Sequence, residues 1–180
     1  MHGPLLTGDP VTLRPPDEDD AARFVPWLAD LRVTRYLGRR TAVALYMEED
    51  FLLRMGTSKT DVFWMIDAGG RTIGATGIHG IDRINAHAIT GTVIGDVESW
   101  GKGYGSAAMR MRTAYAFRQL NLHSLGSTAF ADNAASRRAL EKAGYRGIGI
   151  ERERFFREGR WHDVWHSQVL RADWEAAQAG

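Results

Sequence analysis

Residues 98–109 read ESWGKGYGSAAM, with Gly101, Gly103, Gly105 and Ser106 crowded between two apolar segments. Before them, residues 87–95 are rich in Thr, Val and Ile and read as a strand; after them, Ala107 or Ala108, Met111 and Ala114 or Tyr115 recur at helical spacing. A strand that passes through a glycine-rich turn into a helix presents the unpaired N–H groups of the helix start at the strand's end. Glycine there lets a ligand reach the backbone itself, so the unit taken alone reads either as an anion site or as an ordinary flexible turn. Two nucleotide loops fail on spacing. A P-loop has its lysine after the last glycine, followed by Ser or Thr, whereas Lys102 precedes Gly103. A dinucleotide loop reads G-x-G-x-x-G, and GKGYGS brings the third glycine one residue early.

The sheet that carries this loop is visible in the flanking pattern. Val11 and Leu13 alternate with polar residues until Pro15-Pro16 stops the strand. A helix follows with Asp17 or Asp19 as its cap, a stripe of Phe24, Trp27, Leu28 and Leu31, and Pro26 as a point of break or kink. A second helix is expected over 44–55. Strands at 61–68 and 71–81 flank Gly69-Gly70, a pair suited to a tight hairpin turn. The loop's own helix is expected over 106–120, then a strand at 123–131 and a short helix with Asp132 or Asn133 at its cap and Gly144 past its end. Strands at 152–157 and 161–170 close the chain around Glu158-Gly159. Strand, loop, helix and strand in the middle imply one parallel crossover inside an otherwise antiparallel sheet, an α+β (α/β) arrangement.

Composition narrows the function classes. At 180 residues with no internal repeat or linker, one domain over 1–180 is expected. A net charge of +1 gives no general attraction for nucleic acid, and none is expected as a partner. The longest apolar runs, such as Val62-Phe-Trp-Met-Ile66, are far below the ~20 residues of a membrane span. The start MHGPLLTGDP has no cationic segment followed by an apolar core, so the cytoplasm is the expected location. The absence of cysteine excludes disulfides, thiolate metal sites and a thiol nucleophile. His162 and His166 share a strand face, but at strand rise they stand ~13 Å apart, too far to share one ion. No metal is expected.

With its neighbours considered, the loop resembles the pyrophosphate loop of the GNAT superfamily of acyl-CoA N-acyltransferases, specifically the RimJ/RimL-like branch. The superfamily wording is [QR]-x-x-G-x-[GA], and Trp100-Gly101-Lys102-Gly103-Tyr104-Gly105 is similar to the branch's WGKGYG form. An aliphatic residue is usual five places before the first position, where this chain has Gly95 beside Ile94. Asn133, Ser136, Leu140, Lys142, Gly144 and Tyr145 resemble the branch's N-x-x-S-x-x-x-L-x-K-x-G-[FY] helix. VTLRPPDEDDA at 11–21 resembles its first strand, and REGRWHDVWHSQVL at 157–170 its closing hairpin.

The resemblance implies a mixed, mostly antiparallel sheet flanked by helices, whose central parallel pair splays to admit acyl-CoA. It implies that the N–H groups of residues 101–106, Lys102 and Tyr104 included, hold the CoA pyrophosphate. Val93, Ile94 and Gly95 would pair by main chain with the pantetheine arm. Asn133 would serve both as helix cap and as ligand contact, and Arg138 and Lys142 would meet the adenosine phosphates, with Arg137 a weaker candidate. Acetyl-CoA is the implied co-substrate, an amine the acceptor.

Acetyl transfer to an amine needs a base, an oxyanion donor and help for the leaving thiolate. Many members of the family use a tyrosine as acid where this chain has Leu140, which cannot donate; Ser136 is the implied donor instead, and Tyr145 reads as core. For the base, Glu98 and His79 are candidates, with Asp96, His87 or a water chain as alternatives. Arg35 and Tyr36 are expected to shape the acceptor groove; together with Arg32, Arg39 and Arg40 they suggest a neutral or carboxylate-bearing amine. Such an enzyme would be a monomer or a homodimer. The alternative is a non-catalytic acyl-CoA-binding or sensing module, for which the missing tyrosine is the support.

Overall fold

The computed structural model describes residues 1–179. Its centre is a seven-stranded sheet built from β1 (Thr12–Arg14), β2 (Val62–Ala68), β3 (Arg71–Asp82), β4 (His87–Ile94), β5 (Ser124–Phe130), β6 (Arg146–Arg157) and β7 (Arg160–Leu170). The spatial order is β1-β2-β3-β4-β5-β7-β6. Only β4 and β5 run parallel; every other neighbouring pair is antiparallel. This is the mixed α+β sheet with one parallel pair at its centre that the strand pattern implied.

Strand β2 explains why the sheet needs helices on both faces. Its residues are nearly all buried, and their alternation divides them between two cores. Val62, Trp64 and Ile66 pack with Ala107, Ala108, Ala116 and Phe117 of α4 (Tyr104–Gln119). Phe63 and Met65 face the other way, onto Phe24 of α1 (Asp20–Ala29) and Leu52 of α3 (Leu45–Thr57). The sheet is thus a partition between two apolar layers, each closed by a helix on its own side.

The N-terminal helix is stapled differently from the expected cap. Asp19 occupies the cap position without a side-chain bond. Asp20, fully buried, accepts from both terminal nitrogens of Arg14 at 2.7 and 2.8 Å, from Arg23 at 2.8 Å and from the Asp17 N–H at 2.7 Å. Arg14 also reaches Asp67 on β2 at 2.8 Å, so one ion network ties β1, β2 and α1. Pro26 does not break α1, which continues to Ala29. Asp30 then leaves the helical region, and its carboxylate accepts the Arg32 N–H to start the one-turn helix α2 (Leu31–Thr34).

Other boundaries move for identifiable reasons. Gly103, left-handed at φ 83°, is the cap of α4, so the helix starts at Tyr104 and not at Ser106. Strand β6 begins at Arg146, six residues before the expected 152, because it is the outer strand with mostly exposed side chains and no alternation to betray it. A helix α6 (Arg171–Ala179) that the pattern did not suggest follows β7. Helix α5 (Ala134–Lys142) is as read: the Asn133 amide oxygen accepts the Ser136 N–H at 3.1 Å, and Gly144 at φ 93° follows its end.

The parallel pair is short. β4 and β5 are in register from His87↔Ser124 to Thr90↔Ser127 and pair no further. Beyond that point β4 continues beside β3, as Gly91↔Gly77 to Ile94↔Gly74, while β5 continues beside β7 as far as Phe130. The sheet therefore opens between its two middle strands.

Candidate functional site

The opening is the head of a cavity of about 1060 Å³. One wall is the free edge of β4, residues 91–94; the other is Thr128, Ala129 and Phe130 of β5 with Asn133, Ser136, Arg138 and Lys142 of the following cap and helix. Its floor at one end is the glycine loop, through Trp100, Gly101, Gly103, Tyr104, Gly105 and Ser106. Gly101 at φ 76° and Gly103 at φ 83° hold left-handed backbone that a side-chain residue rarely adopts. The turn so formed directs the start of the sixteen-residue helix α4 at the cavity.

Trp100 has a structural task in this loop. Its indole N–H donates to the Ile94 carbonyl at 2.8 Å, pinning the loop to the last residue of β4. Gly95 is explained by its neighbour: a Cβ there would lie 2.2 Å from the Trp27 ring, so α1 packs where an aliphatic side chain would otherwise stand. Val93 and Ile94 line the cavity, whereas Gly95 is buried outside the lining. Lys102 is exposed and not part of the lining. Arg137 also turns away: it lies over the Trp165 ring and donates to the Ala131 carbonyl at 3.1 Å, which leaves Arg138 and Lys142 as the cations of that wall.

Among the base candidates, the structure separates His79 from the rest. Glu98 is exposed in a 3-10 turn, Val97–Ser99, outside the lining. Asp96 is occupied in capping that turn, accepting from Glu98 N–H and the Ser99 hydroxyl. His87 faces Asp82 at 3.7 Å, also outside the lining. His79 lines the cavity, and its Nδ1 is 3.2 Å from Asp61 Oδ1. Burial pushes the Asp61 carboxyl up, but the Ser58 hydroxyl, the Gly80 N–H and His79 outweigh it and hold the group below the usual carboxylate range. An ionised Asp61 can only accept at this contact, so Nδ1–H donates to it and the lone pair falls to Nε2. That nitrogen lies over Gly77, where a Cβ would come within 2.6 Å of it. Backbone without a side chain is what seats the ring.

Ser136 lines the cavity half-buried, in the first turn of α5, and Leu140 lies behind it, buried and facing the same space. Tyr145 is core, as read: its hydroxyl meets Thr90 at 3.2 Å and Thr113 at 3.3 Å. It also meets Arg112, which sequence reasoning missed. Arg112 is fully buried in α4 and has no carboxylate partner among the described residues. One of its terminal nitrogens lies 2.8 Å from each of the Thr76 hydroxyl, the Gly91 carbonyl and the Thr92 hydroxyl, all three residues of the cavity wall. A positive charge thus stands one layer behind the free edge of β4.

The far lobe of the cavity is aromatic and apolar, with Phe24, Leu28, Phe51 and Phe63 from α1, α3 and β2. Arg35 and Tyr36 reach it as expected. Arg35 is paired with Glu158 at 3.0 Å, and Tyr36 packs on Phe130 with ring centres 5.4 Å apart. Arg32 lines the lobe but is paired with Asp30 at 2.6 Å, Arg39 lines it, and Arg40 does not. The cationic groove expected from four arginines is therefore half neutralised. Glu48 of α3, which periodicity showed only as a helix position, also faces this lobe.

Residues 11–146 match a family model described as the acetyltransferase (GNAT) domain. The chain is 28% identical over 174 residues to the uncharacterized N-acetyltransferase YoaA of Bacillus subtilis (strain 168), covering 89% of this chain and 93% of that protein. Among solved structures it is similar to the spermidine N-acetyltransferase of Vibrio cholerae in complex with CoA and spermine, with a TM-score of 0.86, 20% identity, and 93% and 99% of the two chains covered. It is likewise similar to RimL, a ribosomal L7/L12 alpha-N-protein acetyltransferase in complex with coenzyme A, with a TM-score of 0.82, 15% identity, and 92% and 97% covered. At such identities these two structures speak for the fold.

Proposed function

This chain belongs to the GNAT acetyltransferase family, and from that premise we propose that it transfers the acetyl group of acetyl-CoA to a primary amine by direct attack in a ternary complex. The observation that carries this reading is the continuity of one cavity from the helix start at the glycine loop, along the unpaired edge of β4, to the lobe that holds His79.

Each part has a physical task. The free N–H groups at the start of α4 offer charge-complementary contacts to a pyrophosphate, and Arg138 and Lys142 add positive charge from the facing wall. The pantetheine amides complete the hydrogen bonding of β4 where β5 no longer does. The amine gives up its proton to Nε2 of His79, held in the right tautomer by Asp61. The nitrogen lone pair then forms the new C–N bond, and the thioester carbonyl becomes an oxyanion. A backbone N–H of the parted strand is its donor, and the Arg112 charge behind Gly91 and Thr92 favours the negative species at this wall. On collapse the C–S bond breaks, the surplus proton left on the attacking nitrogen departs and reaches the thiolate through solvent and the Ser136 hydroxyl, and His79 returns its own proton to solvent.

The test is release of free CoA from acetyl-CoA across a panel of amines. We expect turnover well above hydrolysis with at least one amine, with His79→Ala lowering kcat by about 10²-fold or more. Leu140 in place of an ionisable acid favours a second reading, an acyl-CoA-binding module; acetyl-CoA would then raise the melting temperature while every amine gave only the hydrolysis rate. Failure of acetyl-CoA to stabilise the protein would count against both.

A further inference from the structure

Glu48 has no task in the fold. It lies in the first turn of α3, 2% exposed, yet it is not a cap: the cap position is Ala44, and no side chain bonds there. No donor hydrogen-bonds its carboxylate among the described residues, and the one cation that acts on it, Arg39, does so through space without forming an ion pair. Burial accordingly pushes its pKa up, against the weaker pull of Arg39. Yet the residue lines the far lobe of the cavity, among Phe51, Phe63 and Phe24. A buried carboxylate without a partner is unfavourable in any fold, and a ligand nitrogen that enters the lobe with its proton relieves that cost.

We propose that Glu48 anchors a cationic group of the acceptor, and that the acceptor is an amine carrying a second, non-reacting positive centre. The second charge follows from the chemistry, on the acetyltransferase reading above. A carboxylate beside the reacting nitrogen would hold it in the ammonium form, which cannot attack a thioester. His79 with Asp61 suits the nitrogen that must lose its proton; Glu48 suits one that must keep it. Of the arginines that pointed to a neutral or acidic acceptor, Arg32 and Arg35 are each answered by a carboxylate and Arg40 lies outside the lining, which leaves Arg39, whose charge acts on Glu48 without an ion pair and which a bound cation must outcompete.

The experiment compares 1-aminobutane, 4-aminobutanoate and α,ω-diamines of increasing length, with wild type and Glu48→Gln. The expected result is that wild type prefers a diamine to both other amines by roughly tenfold or more in kcat/KM, and that Glu48→Gln erases most of this ratio through the diamine's KM. A wild type that ranks 4-aminobutanoate with the best diamine, or a variant that keeps the ranking, overturns the proposal. Melting temperatures with CoA and the diamines separate this from the fate of the catalytic reading. If no amine is acetylated, a diamine that stabilises wild type and not Glu48→Gln still supports the subsite, and equal or absent shifts in both overturn it. Should Glu48→Gln fail to fold, the wild-type ranking alone decides.

Discussion

On the proposed reading, His79 removes a proton and Glu48 retains one, and each residue is singled out by what its neighbours do. His79 owes its orientation to Asp61 on one side and the bare backbone of Gly77 on the other. Gly77→Ala puts a methyl group 2.6 Å from Nε2, so the ring must move. We expect that variant to lose most of its kcat while its KM for acetyl-CoA stays near that of wild type, as steady-state kinetics will show. Glu48→Gln removes a desolvated charge. Because the folded-state pKa of Glu48 is raised, the wild-type protein is destabilised as pH rises through the window between its unfolded and folded values, and the full cost applies above it. The variant should therefore be at least as stable as wild type at pH 7 in urea titrations, while binding acceptor worse. Arg112 is the opposite case. Arg112→Ala leaves a void and removes one donor shared by Gly91, Thr76 and Thr92, which keep only their bonds to one another, and should cost roughly 3 kcal/mol by the same titration. None of these roles was legible in advance, except that histidine 79 was a candidate. A glutamate in a helix looks like a solvated face, an arginine amid a helical repeat likewise, and the Asp61 partner stands far along the chain, just before β2.

At the level of elements, the motifs with fixed local geometry were the readable ones. The glycine loop, the Asn133 cap and the Gly69-Gly70 turn each depend on backbone conformations that only a few residue types supply, and all three stand where their residues put them. Gly103→Val imposes a branched side chain at φ 83°, a strain of about 1–2 kcal/mol, and pulls the first turn of α4 out of line with the cavity. It should weaken acetyl-CoA binding in calorimetry far more than it lowers stability. Elements held by long-range pairing were illegible: β6 takes its first six residues from β7 alone, with register shifts that no alternation foretells. The start of α1 was half legible, since acids were expected there but the working one is Asp20. Burial pushes its carboxyl up; Arg14, the Asp17 N–H and Arg23 overcome this and leave the pKa below the ordinary value. Its contribution is therefore fully present above the unfolded carboxylate pKa of ~3.9 and lost as pH falls through the lower folded value. Asp20→Asn should cost roughly 3 kcal/mol at pH 7 and show a flatter decline on acidification, measured by urea unfolding at a series of pH values.

For the whole molecule, the single parallel crossover at the glycine loop was legible, whereas the strand order and the two-sided core were not, because a strand buried on both faces shows no period. The feature with the widest reach is the place where the partition opens. From β1 to β4 and from β5 to β6 the backbone bonds are continuous, but the two halves share only the four register pairs that end at Thr90↔Ser127. Acetyl-CoA seated in the gap should slow amide exchange along residues 91–94 and 128–130 more than elsewhere, as mass spectrometry will reveal. On the proposed binding mode, the pantetheine arm would add a cross-brace where the backbone pairing of β4 with β5 stops. That brace is the same molecule before and after the acetyl group has gone. Free CoA should therefore stiffen the protein almost as well as acetyl-CoA, and the halves regain their freedom when the spent carrier departs rather than when the new amide bond forms.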